Sequence, residues 1–490
     1  MKLFKIRGGV HPDDRKKLSA DKAIEALPIP KLLRIPLQQH IGAPAEPVVR
    51  KGDKVLRGQL LAKSQSIISA AVHAPTSGQI MAIGNYMAPH PSGLPVRTIT
   101  LKPDHEDRWI TLPEPVDPFT LTLDEIVKRV ADAGVVGMGG ATFPSAVKLG
   151  LRKRYELHTL VLNGAECEPY LTCDDRLMRE QADEILDGIR IMMHALQVEQ
   201  ALIAIENNKP EALAAMRKAS TGFNQIKVIN VPTRYPMGSE KHLVQTLTGK
   251  ETPARALTAD IGIVVHNVAT AHAVHDAVRF ARPLINRVVT VSGGAIQEPH
   301  NLRVPVGATV QDLLDYCGGF SEPPGHLLSG GPMMGHPIPD TKVPLIKGFN
   351  GVIALTKKET AIRPPMPCIR CGSCVNACPC GLVPLEMAAR ARNGDLQGAV
   401  DLGLMDCIAC GSCAYVCPAH VPLVQYFNYA KGELTTRQRA QHKQAETKRL
   451  AEQRAVRIEQ QKKAKREAMM RRRKAAAKKK AAAQTTETEV

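Results

Sequence analysis

Aromatic residues are scarce in this chain: they make up 3% of its 490 residues, with a single tryptophan. None lies between Lys431 and Val490, which is also the most basic stretch, with 19 Lys/Arg against 7 Asp/Glu. A basic surface without rings offers no platform on which single-stranded nucleic acid can stack. Nucleic acid is therefore not expected as a partner, although the formal net charge is +18. That charge belongs mostly to the terminal stretch, which carries +12 and leaves +6 for everything before it. Long apolar runs are missing too. None approaches the ~20 residues of a membrane span, and Met1 to Lys17 has charges but no apolar core of a secretion signal. The expectation is a cytoplasmic, reduced protein that reaches a membrane only through partners or a surface patch. Disulfides are not expected in that setting, and no histidine forms a close pair with a cysteine.

Cysteine is nonetheless plentiful, with 12 in all, and eight of them are regularly spaced. Cys368, Cys371, Cys374 and Cys378 read C-x2-C-x2-C-x3-C before Pro379, and Cys407, Cys410, Cys413 and Cys417 repeat that run before Pro418. Zinc rarely uses four thiolates at this spacing. A pair of [4Fe–4S] clusters does, and the fourth cysteine of each run then serves the other cluster. One set is therefore Cys368, Cys371, Cys374 and Cys417; the other is Cys407, Cys410, Cys413 and Cys378. Gly372-Ser373 and Gly411-Ser412 are small enough to let the loops wrap a bulky cluster.

The expected fold class is multidomain, α/β and α+β. Residues 1–115 read as short strands and glycine turns. Val49 to Ile80 resembles a biotinyl/lipoyl-type barrel, but Ser64 to Val72 has no lysine where the attachment residue of such modules sits. Residues 118–285 alternate helix and strand, which implies a Rossmann-like parallel sheet. Strands are expected at His158–Leu162, Ala201–Ile205, Ile226–Val231 and Ile261–Val265, and one long helix over Asp174–Leu196. Residues 286–358 follow the strand, turn, strand, helix order of a β-grasp module. Residues 361–425 form a helical two-cluster domain of ferredoxin type, with a break at Asn393-Gly394. The tail, 431–490, has high helix propensity but no continuous apolar stripe. Two readings of it stand: a solvated helix or disordered segment, and a basic arm resting on an anionic membrane surface.

The loop Gly134-Val135-Val136-Gly137-Met138-Gly139-Gly140-Ala141-Thr142-Phe143-Pro144 is preceded by a helix, and its glycine order is not that of a dinucleotide fingerprint. Glycine-rich backbone leading to a helix, with Lys148 nearby, still suits an anion. Asn163-Gly164-Ala165-Glu166-Cys167-Glu168-Pro169 follows a strand, and ligands of open α/β sheets bind at such ends. Tyr235 to Glu240 and His266 to Thr270 come next.

Taken in order, these four segments resemble the flavin subunit of respiratory complex I and its relatives. That pattern runs G-x-G-G-A-x-F-P closed by Lys, then N-x-x-E-x-E-P, Y-x-x-G-x-E and N-V-x-T, and the likeness spans residues 118–420. Met138 stands where the pattern has Arg, and Ala165 where it has Asp. The second set of cluster ligands, the barrel-like first module and Gly8-Gly9-Val10-His11-Pro12 are similar to the C subunits of Rnf (Rsx) electron-transport complexes. The resemblance implies that Gly137, Gly139, Gly140, Lys148, Asn163, Glu240, Asn267 and Thr270 contact FMN. It places Glu166 and Glu168 toward the flavin and NAD(H), and Phe143 at the nucleotide entrance. It further implies a peripheral electron-input subunit on the cytoplasmic face of the bacterial inner membrane. Its partners would be the other subunits of a membrane-embedded complex and a ferredoxin-like carrier. No catalytic acid or base is expected, because hydride and electron transfer need none. Two other readings stay open: a soluble diaphorase subunit of a hydrogenase or formate dehydrogenase, and a two-cluster carrier whose flavin pocket is vestigial.

Overall fold

Four strands with apolar cores make up the central parallel sheet of the computed structural model, which describes residues 3–90, 92–140, 142–360 and 364–486. Ala141 of the glycine loop, residues 361–363 at the start of the expected cluster domain and the last four residues of the tail lie outside them. The sheet order is Ile226–Val231, Gln200–Glu206, Thr159–Gly164, Ile263–Asn267, with all pairings parallel. Alternate residues of each strand face opposite layers. Leu160 and Leu162 pack with helices Leu123–Asp132, Ala182–Leu196 and Val268–Phe280, whereas Val161 faces helix Glu240–Thr248. The chain leaves Thr159–Gly164 toward one edge and returns on its other side at Ile263–Asn267. A crevice opens at such a switch point, at the carboxyl ends of the strands. Asn163 and Asn267 stand opposite each other there in the strand register.

The long helix expected over Asp174–Leu196 is two helices, Cys173–Glu180 and Ala182–Leu196. Gln181 leaves helical geometry (φ −133°, ψ 42°), and its side-chain oxygen accepts from Arg303 at 2.9 Å. Tertiary contact overrides propensity here: the break lets the first helix aim its N-terminus at the turn after Gly164.

The barrel module pairs Pro95–Pro103 with Gly78–Met87 on one side and Leu33–Pro36 on the other, and a small second sheet joins Glu46–Pro47, Leu60–Lys63 and Val72–His73. The segment before it strays further. Ile24–Ala26 adds an edge strand to a six-stranded mixed sheet built from Asn286–Ser292, His300–Pro305, His326–Ser329, His336–Pro337 and Gly351–Leu355. The cluster domain is helical, with Pro384–Arg392 and Leu396–Asp401 separated at Asn393–Asp395. The tail is a single helix, Leu423–Thr486, of 64 residues. Leu423, Phe427 and Ala430 bury its first turns, and residues 435–480 are exposed to solvent. Among the described residues no helix is long and apolar enough to cross a membrane.

Lys347 joins three modules. Its buried ammonium donates to the carbonyls of Ala71 at 2.8 Å and Gly134 at 2.7 Å. Burial lowers its pKa from 10.5 to about 7. The unfolded chain therefore binds more protons between those two values, and stability rises as pH climbs from about 7 toward 10.5. Lys347→Met should flatten this rise and leave two buried carbonyls unpaired, at about 1–3 kcal/mol each. Urea unfolding of both chains at several pH values across the window measures it; parallel pH profiles would refute it.

Candidate flavin site and cluster centres

The glycine loop is built against the carboxyl ends of the parallel strands. It is closed on itself where Gly137 N–H donates to Phe143 O at 2.7 Å and Ser145 N–H to Val135 O at 3.0 Å. Gly140 has φ +111°, a conformation a side chain would strain. Gly139 lies so close to Asn267 that a Cβ there would sit 3.2 Å from the Asn267 Cβ. Thr270 is fully buried and does not line the cavity; its hydroxyl accepts from Met138 N–H at 3.0 Å and holds the loop from behind. Helix Ser145–Leu149 is five residues long. It carries Lys148, whose ammonium donates to Val265 O at 3.0 Å and to Glu240 at 3.3 Å.

Two buried ammonium groups shape the turn after Gly164. Lys16 Nζ donates to the carbonyls of Glu166, Glu168 and Leu171 at 2.8, 3.0 and 2.5 Å. Lys209 Nζ donates to Ala165 O at 2.7 Å and pairs with Glu206 at 3.2 Å. Glu166, at φ +46°, accepts from the N–H groups of Asp174 at 2.7 Å and Asp175 at 3.3 Å, so its carboxylate caps a helix N-terminus. Glu168 accepts from Met333 N–H at 3.0 Å and Met334 N–H at 2.9 Å, and burial pushes its pKa up to about 7. Both carboxylates expected to face flavin and nucleotide thus have backbone partners as well. Burial and the neighbouring Glu166 charge also raise the pKa of Asp174, which accepts from Asn267 Nδ2 at 2.6 Å.

Between the loop and this turn lies one cavity of about 600 Å³, within the range that holds a small-molecule ligand. It gathers Gly137, Gly139, Gly140, Phe143 and Lys148 from the loop and its helix. Asn163, Glu166, Glu168, Glu240 and Asn267 come from the strand ends and following turns. Ser329–His336 closes another side as a strap from the mixed sheet, and Tyr235, Asn350 and Ile408 complete the wall. Sequence reasoning missed the strap. Gly330-Gly331-Pro332 was its only local signal, and what it covers depends on a contact 165 positions away, between Met333 and Glu168. Glycine is required at Gly331, where a Cβ would lie 2.3 Å from the Glu168 carboxylate. Exposed backbone N–H groups, one lysine and flat amide edges around a cavity of this size fit a phosphate-bearing flavin.

The eight spaced cysteines fall into two sets around two further cavities. One is lined by Cys368, Cys371, Cys374 and Cys417, the other by Cys378, Cys407, Cys410 and Cys413. The structure brings the fourth cysteine of each run beside the first three of the other. Arg370 and Ala409 occupy equivalent positions at φ +54° and +53°. Each aims its N–H at a sulfur, Cys368 Sγ and Cys407 Sγ, both at 3.4 Å. Strained backbone that delivers N–H···S bonds fits a cluster better than free thiols. Ile408 lines both the large cavity and the Cys378/Cys407/Cys410/Cys413 cavity, so that set is proximal and the other distal. In the distal set Cys368 and Cys371 are exposed.

Cys410→Ser should lower iron per chain from about eight to about four and remove the proximal EPR signal, and Cys374→Ser should do the same to the distal one. Iron assay with EPR at low temperature reads both; equal loss of both signals in each variant would contradict the two-set assignment.

Family models match in the order of the modules. They are the RnfC barrel sandwich hybrid domain at residues 4–106, the Nuo51 FMN-binding domain at 130–276, the SLBB domain at 288–337 and the 4Fe-4S dicluster domain at 367–421. The chain thus carries sites for FMN and [4Fe–4S] clusters. It is 59% identical, over 90% of its own length and 85% of the relative's, to the C subunit of the ion-translocating oxidoreductase complex of Rhodobacter capsulatus. It is 48% identical to the C subunit of the proton-translocating ferredoxin:NAD(+) oxidoreductase complex of Clostridium ljungdahlii, over 88% of this chain and 94% of that one. With the corresponding ion-translocating oxidoreductase protein of Pseudomonas aeruginosa it shares 44% identity over 93% of this chain and 59% of that one. The chain belongs to the family of C subunits of ion-translocating oxidoreductase complexes.

Proposed function

We propose that this chain is the peripheral electron-input subunit of an ion-translocating NAD(H):ferredoxin-type oxidoreductase. It passes electrons between NAD(H), FMN and two [4Fe–4S] clusters, toward a ferredoxin-like carrier and membrane-embedded partner subunits, from the cytoplasmic side. One observation carries the reading: the wall at Ile408 and Tyr235 stands between the large cavity and the proximal cysteine set. Bound flavin accepts electrons in pairs and releases them singly, which suits a hydride donor on one side and clusters on the other. The chain's own residues position that exchange. Backbone N–H groups at Gly139 and Gly140, with Lys148, hold the phosphate, and Gly137, whose own N–H closes the loop on Phe143, lines the cavity beside them. Asn163, Glu240 and Asn267 hold polar edges of the flavin, and Thr270 braces the loop beneath it. Glu166 and Glu168 shape the side on which nicotinamide enters past Phe143, and the strap keeps water from it.

Beyond the proximal set, the exposed loops of Cys368 and Cys371 make the distal cluster the exit toward partners. The basic helix supports loose association with an anionic surface, at about 1 kcal/mol for each Lys/Arg near it. Without an apolar stripe it would lie on such a surface and not insert.

Anaerobic reconstitution with iron, sulfide and FMN, followed by NADH titration under optical and EPR observation, tests the relay. Flavin bleaching in step with cluster reduction is expected. Iron binding without flavin, and no response to NADH, would leave a two-cluster carrier. Lys148→Met should raise the Kd for FMN about tenfold or more, the loss of one charge-assisted hydrogen bond, with iron content unchanged. Flavin fluorescence titration measures that shift.

A further inference from the structure

The proximal ligand loops are held from outside their own domain. The Tyr235 hydroxyl donates to the carbonyl of Cys410 at 2.7 Å. His242 Nε2 lies 3.0 Å from the carbonyl of Pro379, the residue after Cys378. A carbonyl only accepts, so Nε2 carries the proton, and Nδ1 accepts from the Ser239 hydroxyl at 2.9 Å, which fixes the ring. Gly9 N–H adds a third donor, to Ala377 O at 2.9 Å. Tyr235 and His242 are buried, at 2% and 5% exposure, so these bonds do not compete with solvent. The distal set is different. Among the described residues, the hydrogen bonds made by its loops come from within the cluster domain, such as Met366 N–H to Ala419 O at 2.8 Å.

This asymmetry has a physical consequence. Tunnelling falls steeply with distance, and the potential of a cluster follows the hydrogen bonding and burial of its ligands. A ligand loop free to turn would vary both. Gly411, at φ +81°, follows Cys410 and leaves that peptide easy to rotate once its carbonyl is released.

We propose that Tyr235 and His242 are positioning residues for electron transfer. They clamp the backbone of the proximal ligand loops to the wall of the flavin cavity, fixing the distance and the potential of that cluster alone. In the step they serve, one electron leaves reduced flavin and enters the proximal cluster; neither side chain gives up its proton. The inference rests on the flavin and relay reading above.

The test uses the full chain reconstituted with iron and sulfide. Without FMN, Tyr235→Phe and His242→Leu are examined by EPR-monitored redox titration and by amide exchange over 377–381 and 408–411. The proximal midpoint potential should shift while the distal one stays, and exchange in both loops should rise. With FMN, the rate of cluster reduction relative to flavin bleaching by NADH should fall about tenfold in His242→Leu, in the range seen when outer partners of metal ligands are lost. His242→Gln, which keeps a donor, should restore part of it. Proximal potential, loop exchange and relative rate all at parental values would overturn the clamp, as would equal shifts in both clusters. If Tyr235→Phe loses iron, the His242→Leu and His242→Gln pair decides by the same readings. If the parent fails to bleach with NADH, the flavin reading fails, and the flavin-free measurements still decide the clamp.

Discussion

The buried ammonium groups of Lys16 and Lys209 are the constraint on which the site depends. The turn leaving the central strand would otherwise bury its carbonyls unpaired, each at about 1–3 kcal/mol. Together the two lysines saturate the carbonyls of Ala165, Glu166, Glu168 and Leu171. Burial, then repulsion from Lys209, lowers the pKa of Lys16, and the nearby carboxylates of Glu166 and Glu206 favour its charged form. Neither lysine belongs to the turn. One comes from the N-terminal segment and the other from the end of the neighbouring strand, so the turn takes this shape only in the assembled chain.

From that turn the other modules are recruited. Glu166 fixes the helix that follows, and Glu168 ties down the strap from the mixed sheet. Lys347 links the barrel to the start of the glycine loop. Tyr235 and His242 reach the cluster domain. Each link is one or two hydrogen bonds made by a buried group. Such groups are expensive to leave unpaired and so specify one arrangement of the modules over its alternatives.

The two cysteine sets illustrate how that assembly makes like sequences unlike. Their ligand runs have the same spacing, left-handed backbone at equivalent positions and the same small pairs, Gly372-Ser373 and Gly411-Ser412. The spacing within a run does not distinguish them. Their surroundings do: one cavity shares Ile408 with the large cavity at the strand ends, and the other opens Cys368 and Cys371 to solvent.

What could be read from sequence was what short range determines. Thiolate spacing within a run names the cluster type, because ligand geometry requires close sulfurs. Buried runs such as Leu160–Leu162 name parallel strands, and glycine order locates an anion loop. The break at Gln181, the strap at Gly330–Gly335, the inward support from Thr270 and the outside donors to the proximal loops were not legible. Each rests on a partner far away in sequence, as Arg303 is from Gln181 and Glu168 from Met333. Sequence alone therefore determined which cofactor chemistry this chain supports. Only the tertiary structure decided where the two carboxylates point and which cysteine set stands next to the large cavity, because both follow from long-range hydrogen bonds that no local pattern encodes.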